Sequence, residues 1–319
     1  MIDVITFGEA LYRLTPPNFQ TISQASSFDY FLGGSEANTA VGLARLGLKS
    51  LWLSRLTDNA LGRRMAEALQ GQGVDTSRII WTDQDRIGLY FMEEGAPPRD
   101  SQVIYDRANS SMSKINAHHI PVDLFQPNYA RLFHTTGITL ALSGSALGAT
   151  QRAWDLARSR GYQLSFDLNH RQKLWTAEAC NSASQPFLET AHLIFIAYRD
   201  AQNVLAIDGT PDDTLRELHQ RYPQALIALT QGADGASTVN PAGEIRHQSA
   251  FTAQPIGRIG GGDAFSAGFL YGYLTDADPL RWAVATAAIK YTLSGDMPLI
   301  TQPMVERLLN QQAGTGVIR

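Results

Sequence analysis

Short apolar runs bounded by turn residues alternate with stretches of helical period along most of the chain, and that alternation restricts the fold more than any other feature. The runs "VITFG", "SLWLSRL", "RLFHTTG", "QLSFDLN", "LIFIA" and "ALIALTQG" have the length and apolar content of buried strands. Between them lie amphipathic segments such as Ala37 to Leu46, Ala60 to Gln70, Gly144 to Arg160 and Ala201 to Ala206. Strand and helix in regular turn predict an α/β fold with a mainly parallel sheet covered on both faces. In such a fold ligands bind beyond the carboxyl ends of the strands.

Two stretches interrupt the alternation. "LYRLTPPNFQTISQASSFDYFL" and "RIGLYFMEEGAPPRDSQVIYDRA" hold strand-like pieces with no helix between them, and each contains a Pro-Pro pair in a turn-like setting. They read as hairpins outside the main sheet, a small β lid drawn from about residues 11–32 and 86–108. A third hairpin signal, "GASTVNPAGEIRHQSAF", turns at Pro241-Ala242-Gly243. From Asp263 onward the pattern is almost entirely helical. With no internal repeat, low-complexity tract or linker, residues 1–319 read as a single domain.

Composition narrows the class of function. Hydrophobic residues at 44% and charged residues at 18% are those of a folded globular chain. The formal charge of −4 is spread without like-charge runs, which excludes the basic stripe of a nucleic-acid binder. Cys180 is the only cysteine, so no intrachain disulfide forms and a reducing compartment is expected; its neighbours do not activate a thiolate. The start "MIDVITFGEA" lacks the basic and apolar regions of a signal peptide. No apolar run approaches the roughly 18–20 residues of a membrane helix. The expectation is a cytoplasmic protein with neither nucleic-acid nor membrane partners. In that setting the sequon Asn109-Ser110-Ser111 is a chance match, and His118-His119 lacks a third partner at metal-ligand spacing.

Four stretches carry candidate chemistry. In "IGRIGGGDAFSAGF", Gly260, Gly261 and Gly262 precede Asp263 and an apolar helical run. Glycine is the costliest residue to order, so the triple needs a reason. Either the chain makes a tight turn and Asp263 caps the helix, or bare backbone cradles an anion with a base beside it. In "FLGGSEANTAVGLARLG", Gly33 and Gly34 allow close backbone approach, Ser35 could cap the helix, and Glu36 and Asn38 fall near its first turn. That stretch is neither a GxGxxG dinucleotide fingerprint nor a P-loop. In "FDLNHRQKLW", Asp167, Asn169 and Arg171 alternate and share one face if the strand continues, while His170 reads as a surface or supporting residue. In "VIYDRANSS", Tyr105 and Arg107 face the same side of a lid strand, and Tyr90 on the neighbouring strand joins them. An aromatic face with an arginine suits a polyol bearing a carboxylate, whose two oxygens Arg can grip.

The order of these motifs over essentially the whole chain resembles the ribokinase (PfkB) family of carbohydrate kinases. Within it, "YDRANS", "DLNHRQKLW" and "KYTLSGDMPLIT" look like the kinases of 2-keto-3-deoxygluconate. The resemblance implies a ribokinase-like three-layer α/β/α fold and ATP-dependent transfer of the γ-phosphoryl group to the primary hydroxyl of that or a close keto-deoxy sugar acid. It makes Asp263 the catalytic base and Gly260, Gly261 and Gly262 donors to the phosphoryl group. Gly34, Asn38, Tyr90, Tyr105, Arg107, Asn169, Arg171 and Asp296 would hold the sugar acid. Thr230, Gly232, Asp234 and Gly235 of "TQGADG" would line the nucleotide pocket, and Asp200 would hold Mg²⁺ through water.

Two positions depart from the family pattern. Gly257 stands where many members carry an aspartate of a monovalent-cation loop, which argues against potassium activation. Ala197 replaces the asparagine of the Asn-x-x-Glu motif that ends at Asp200. The resemblance also suggests a homodimer paired through the lid. Competing expectations are a fructokinase or other sugar kinase, and a catalytically silent sugar-binding protein.

Overall fold

The computed structural model describes residues 1–257 and 259–311. The chain begins β1 (Ile2–Phe7), β2 (Leu11–Thr15), β3 (Asp29–Gly33), α1 (Ser35–Arg45), β4 (Ser50–Leu53), β5 (Arg55–Thr57) and α2 (Ala60–Gln70). It continues through β6 (Ile80–Thr82), β7 (Leu89–Glu93), β8 (Gln102–Asp106), β9 (Ala130–Thr136), α3 (Gly137–Leu140), α4 (Gly144–Ser159) and β10 (Gln163–Asp167). Then come α5 (Ala177–Leu188), β11 (Leu193–Ala197), α6 (Tyr198–Leu205), α7 (Pro211–Arg221), β12 (Leu226–Thr230), β13 (Ala236–Val239) and β14 (Ile245–Gln248). The last helices are α8 (Gly261–Leu274), α9 (Pro279–Tyr291) and α10 (Gln302–Gln311).

Eight strands form the main sheet in the order β14-β13-β12-β11-β10-β9-β1-β4. The six from β12 to β4 are parallel, and the β13–β14 hairpin adds an antiparallel edge. Alternation along each strand feeds two cores, because successive side chains point to opposite faces. On β11, Ile194 and Ile196 enter the core built with Trp154 of α4, Phe187 of α5 and Leu215 of α7. Leu193 and Phe195 enter the opposite core, with Leu43 of α1, Phe269 of α8 and Trp282 of α9. The result is the three-layer α/β/α arrangement that the alternation predicts, with the apolar runs buried on both faces.

The two interrupting stretches form one sheet of their own, in the order β3-β2-β7-β8. The β2–β3 and β7–β8 hairpins are antiparallel, and β2 joins β7 in parallel. The third hairpin is β13–β14, turned over Asn240 to Glu244.

Two boundaries differ from the sequence expectation. "SLWLSRL" is not one strand: β4 stays in the main sheet beside β1, whereas β5 pairs with β6. The break falls at Ser54, whose carbonyl accepts from Ile80 N–H at 2.9 Å. Every residue of this run is apolar or buried, so its pattern carries no mark of a change of partner. The strand of "FDLNHRQKLW" ends at Asp167, and Asn169 follows in the left-handed region at φ 37°. Asp167, Asn169 and Arg171 therefore meet through a turn rather than along a strand face.

The densest part of the larger core is a ring cluster. Trp154 and Phe187 lie 5.1 Å apart between centroids, and Phe166 stacks on Phe187 at 5.3 Å. This cluster locks α4 and α5 onto β10, the strand that carries Asp167. Phe187→Ala is expected to lower unfolding stability by about 3–5 kcal/mol. Urea denaturation of the purified variant measures it, and an unchanged midpoint would contradict the packing described.

Candidate active site

The carboxyl ends of the main strands and the inner face of the small sheet enclose a cavity of about 420 Å³. Its walls come from residues far apart in sequence, among them Gly34, Asn38, Tyr105, Arg171, Asp200 and Asp263.

Asp263 is the third residue of α8, yet it does not cap that helix. Gly260 is the N-cap residue, and no side chain caps the helix. The carboxylate turns instead to α1, where Ser35 Oγ donates to Oδ1 at 2.6 Å and Asn38 Nδ2 donates to Oδ2 at 2.7 Å. Burial pushes its pKa up from the usual carboxylate range, while those two hydrogen bonds and the charges of Arg171 and Lys290 pull it back. A carboxylate set this way keeps lone pairs on both oxygens for an incoming hydroxyl.

The three glycines have three different reasons. Gly260 sits at φ 78°, and a side chain there would strike the Asp296 carbonyl. A β-carbon on Gly261 would come within 2.6–2.8 Å of the Tyr291 ring. Gly262 meets nothing within 4 Å and is exposed towards the cavity. The turn explains the first and packing against Tyr291 the second; only the third is left bare facing open space. Uncapped N–H groups at a helix start, facing a cavity, form an anion site.

Around this point the structure gathers most of the residues singled out from the sequence. Gly34, Asn38, Tyr90, Tyr105, Arg107, Asn169, Arg171 and Asp296 all line the cavity, as do Thr230 and Asp200. Their partners refine what each can do. Asn38 is spent on Asp263. Tyr90 donates its hydroxyl to Asp296, which also faces Arg13 Nη1 at 3.1 Å. Arg107, expected to present a free fork, is paired with Glu9 through Nε at 2.9 Å and through Nη2. Arg171 forms no ion pair among the described residues; its Nη1 reaches only the His170 carbonyl, at 3.4 Å.

Gly232, Asp234 and Gly235 are not brought to the cavity wall. They form the turn that follows β12, beyond Thr230. Asp200 is 3% exposed at the start of α6, with Arg199 Nε at 3.2 Å. Among the described residues no group of three or more His, Cys, Asp or Glu side chains is placed to hold a metal ion. Cys180 is fully buried and its thiol is pushed up to about 12 by burial, as an inert core residue should be.

Sequence reasoning missed Glu9 and the use made of Ser35. It also left Asp167 without a role of its own. Burial pushes that carboxyl up to about 8, and the negative charge of Asp263 adds to the shift against the pull of Arg171. Glu9 lies 98 residues from Arg107 and Ser35 lies 228 from Asp263, so no local pattern announces either pair. Among the described residues no helix is long and apolar enough to cross a membrane.

The glycine assignments separate in a stability measurement. Gly261→Ala is expected to cost about 1–3 kcal/mol through overpacking against Tyr291. Gly262→Ala is expected to leave the fold within about 0.5 kcal/mol, as surface substitutions do. Thermal melts of the two variants check this, and equal losses would contradict the division.

Comparison with known proteins bears on this site. Over 311 residues, spanning 96% of both chains, the sequence is 35% identical to the 2-dehydro-3-deoxygalactonokinase of Haloferax volcanii. It is 29% identical to the 2-dehydro-3-deoxygluconokinase of Bacillus subtilis, covering 93% of this chain and 91% of that one. The crystal structure of 2-dehydro-3-deoxygluconokinase from Thermotoga maritima superimposes with a TM-score of 0.90 at 31% identity, covering 96% of this chain and 98% of that one. The pattern that defines the pfkB family carbohydrate kinases matches residues 1–302, and the chain belongs to that family: it is a carbohydrate kinase with a ribokinase-like fold.

Proposed function

We propose that this kinase uses ATP to phosphorylate the primary hydroxyl of 2-keto-3-deoxygluconate, also called 2-dehydro-3-deoxygluconate, or of its C4 epimer 2-keto-3-deoxygalactonate. The observation that carries the proposal is Arg171, a guanidinium without an ion-pair partner among the described residues, in the same cavity as the hydrogen-bonded carboxylate of Asp263. A sugar acid needs a cation for its carboxylate at one end and a base for its hydroxyl at the other.

In this reading Asp263 takes the hydroxyl proton as the sugar oxygen bonds to the γ-phosphorus, and the β–γ bridging oxygen leaves with ADP. The N–H groups of Gly260, Gly261 and Gly262 face the charge on the phosphoryl group at the start of α8. Arg171 holds the sugar carboxylate, with Arg107 beside it. Gly34, Asn169 and the Tyr90–Asp296 pair position the sugar, and Tyr105 gives it an apolar face. Thr230 and the turn of Gly232, Asp234 and Gly235 are the nucleotide side. The small sheet acts as the lid that excludes water, within one catalytic unit. A cytoplasmic location, where ATP is made and used, suits this chemistry.

The residues present fit Mg²⁺ in the way that ion is commonly bound, through one or two carboxylates with phosphates and water completing the shell. Asp200, buried and lining the cavity, is the carboxylate for it. When bound, the ion neutralises phosphate charge.

One observation favours a neutral sugar instead: the Glu9–Arg107 pair occupies one of the two arginine forks. A coupled ADP-release assay over both keto-deoxy acids, fructose and ribose separates the readings. Arg171→Ala is expected to lower kcat/KM on the sugar acids by about 10–100-fold, the worth of a hydrogen bond to a charged group. Fast turnover of fructose, untouched by that change, would move the substrate to a neutral sugar. Asp263→Asn should cut kcat by roughly 10²-fold or more. Because the Asp263 carboxyl is raised and works ionised, turnover should fall as pH drops, with the midpoint above the usual carboxylate range. Gly262→Ala should keep its fold and lose about tenfold or more in kcat.

A further inference from the structure

We propose that Ser35 is a positioning residue, whose hydroxyl is locked between Asn169 and Asp263 so that the carboxylate of the base is aimed at the sugar and held ionised. This rests on the reading of Asp263 as the base.

Ser35 is the first residue of α1, but the helix cap is Gly34 and no side chain caps it. The hydroxyl is therefore free of the capping role that its place in the sequence suggests. It takes a hydrogen bond from Asn169 Nδ2 at 3.0 Å and gives one to Asp263 Oδ1 at 2.6 Å. An amide nitrogen only donates, so Asn169 occupies a lone pair of the hydroxyl and its one hydrogen is committed to Asp263. Asn169 is itself held: its backbone N–H donates to Asp167 Oδ1 at 3.1 Å, in the left-handed turn that ends β10. A hydrogen-bonded chain thus runs from the end of β10, across the start of α1, to the start of α8. Ser35 is 7% exposed, so water is a poor substitute for its hydroxyl.

The charged groups around Asp263 come from every element packed there. Glu36 on α1, Asp167 at the end of β10 and Asp296 after α9 are carboxyls whose own ionisation the Asp263 charge opposes. Arg171 and Lys290 favour the ionised form of Asp263. None of these changes when Ser35 loses its hydroxyl, so the effect of that loss on proton affinity has one sign. Without the donor the ionised carboxylate is less stabilised, Asp263 holds its proton to higher pH, and the acid limb of turnover moves upward.

Ser35→Ala, in a position that suits alanine in a helix, is the test. Hydrogen bonds to charged groups are worth about 10–100-fold, so the acid limb of kcat should rise by about one pH unit. Turnover on the acid side of that limb should fall about tenfold. Ser35→Thr, which restores a hydroxyl, should return the limb towards wild type. If the alanine variant does not fold, Ser35→Cys, with its weak donor, should shift the limb in the same direction. A kcat–pH curve scaled down uniformly, or overlaying wild type, would overturn the proposal. Asp263→Asn is run beside them: if it turns over near the wild-type rate, Asp263 is not the base and the parent reading fails. If it is inactive while the Ser35→Ala limb stays in place, only the role of Ser35 fails.

Discussion

A carboxylate lowered into a cleft must be compensated there, because an unpaired buried charge is among the costliest features a fold can carry. Asp263 is that carboxylate, and its compensation explains why the two ends of the chain meet. Its donors, Ser35 and Asn38, belong to α1, more than 220 residues earlier. The helices α1 and α8 share the core on one face of the sheet, with Leu43 and Phe269 in the same cluster. Packing of that face brings the donors into register, and the hydrogen bonds then fix the carboxylate. Without the apolar contact the polar one could not form; without the polar one the contact would leave a raw charge beside it.

The small sheet is tied to the main body by the same kind of interaction. Arg13 on β2 reaches Asp296 in the loop after α9, Tyr90 on β7 donates to the same carboxylate, and Glu9 just before β2 holds Arg107 just after β8. Buried ion pairs of this kind add little net stability, because desolvation offsets most of the attraction. What they add is geometry. Breaking one leaves its partner uncompensated, so the sheet has few cheap ways to sit elsewhere. The face carrying Tyr90, Tyr105 and Arg107 is thereby held over the strand ends rather than merely tethered near them.

The sheet, its helices and the separate hairpins were legible because each is written in local periodicity, which survives in a single sequence. The glycine run and the residues around Arg171 were legible as a site because polar groups at the carboxyl end of a strand have few other uses. Partnership was not legible. The spacing of "VIYDRANSS" places Tyr105 and Arg107 on one side, yet nothing nearby says that Glu9 fills the guanidinium fork. Ser35 looks like a helix cap because serine before a helical run usually is one, and only the backbone of Gly34 shows otherwise. Likewise the break at Ser54 is invisible, since a strand that changes neighbour stays as buried and apolar as one that does not.

The cavity poses a charge problem for any anionic ligand. Five carboxylates line it, from Glu9, Asp167, Asp200, Asp263 and Asp296, against three guanidiniums, from Arg107, Arg171 and Arg199. Taken as a sum, that wall should repel a sugar acid and a polyphosphate alike. Taken group by group, it does not. Glu9 is matched by Arg107, Asp200 by Arg199 and Asp296 by Arg13, each within 3.2 Å or less. Asp167, pushed up to about 8, carries a proton near neutral pH and adds no charge. What is left without an ion-pair partner among the described residues is one guanidinium, Arg171, and one carboxylate, Asp263. The local pairing thus turns an acid-rich pocket into an asymmetric one, and on the proposed reading that asymmetry would give a sugar acid one place for its carboxylate and one for the proton of a single hydroxyl.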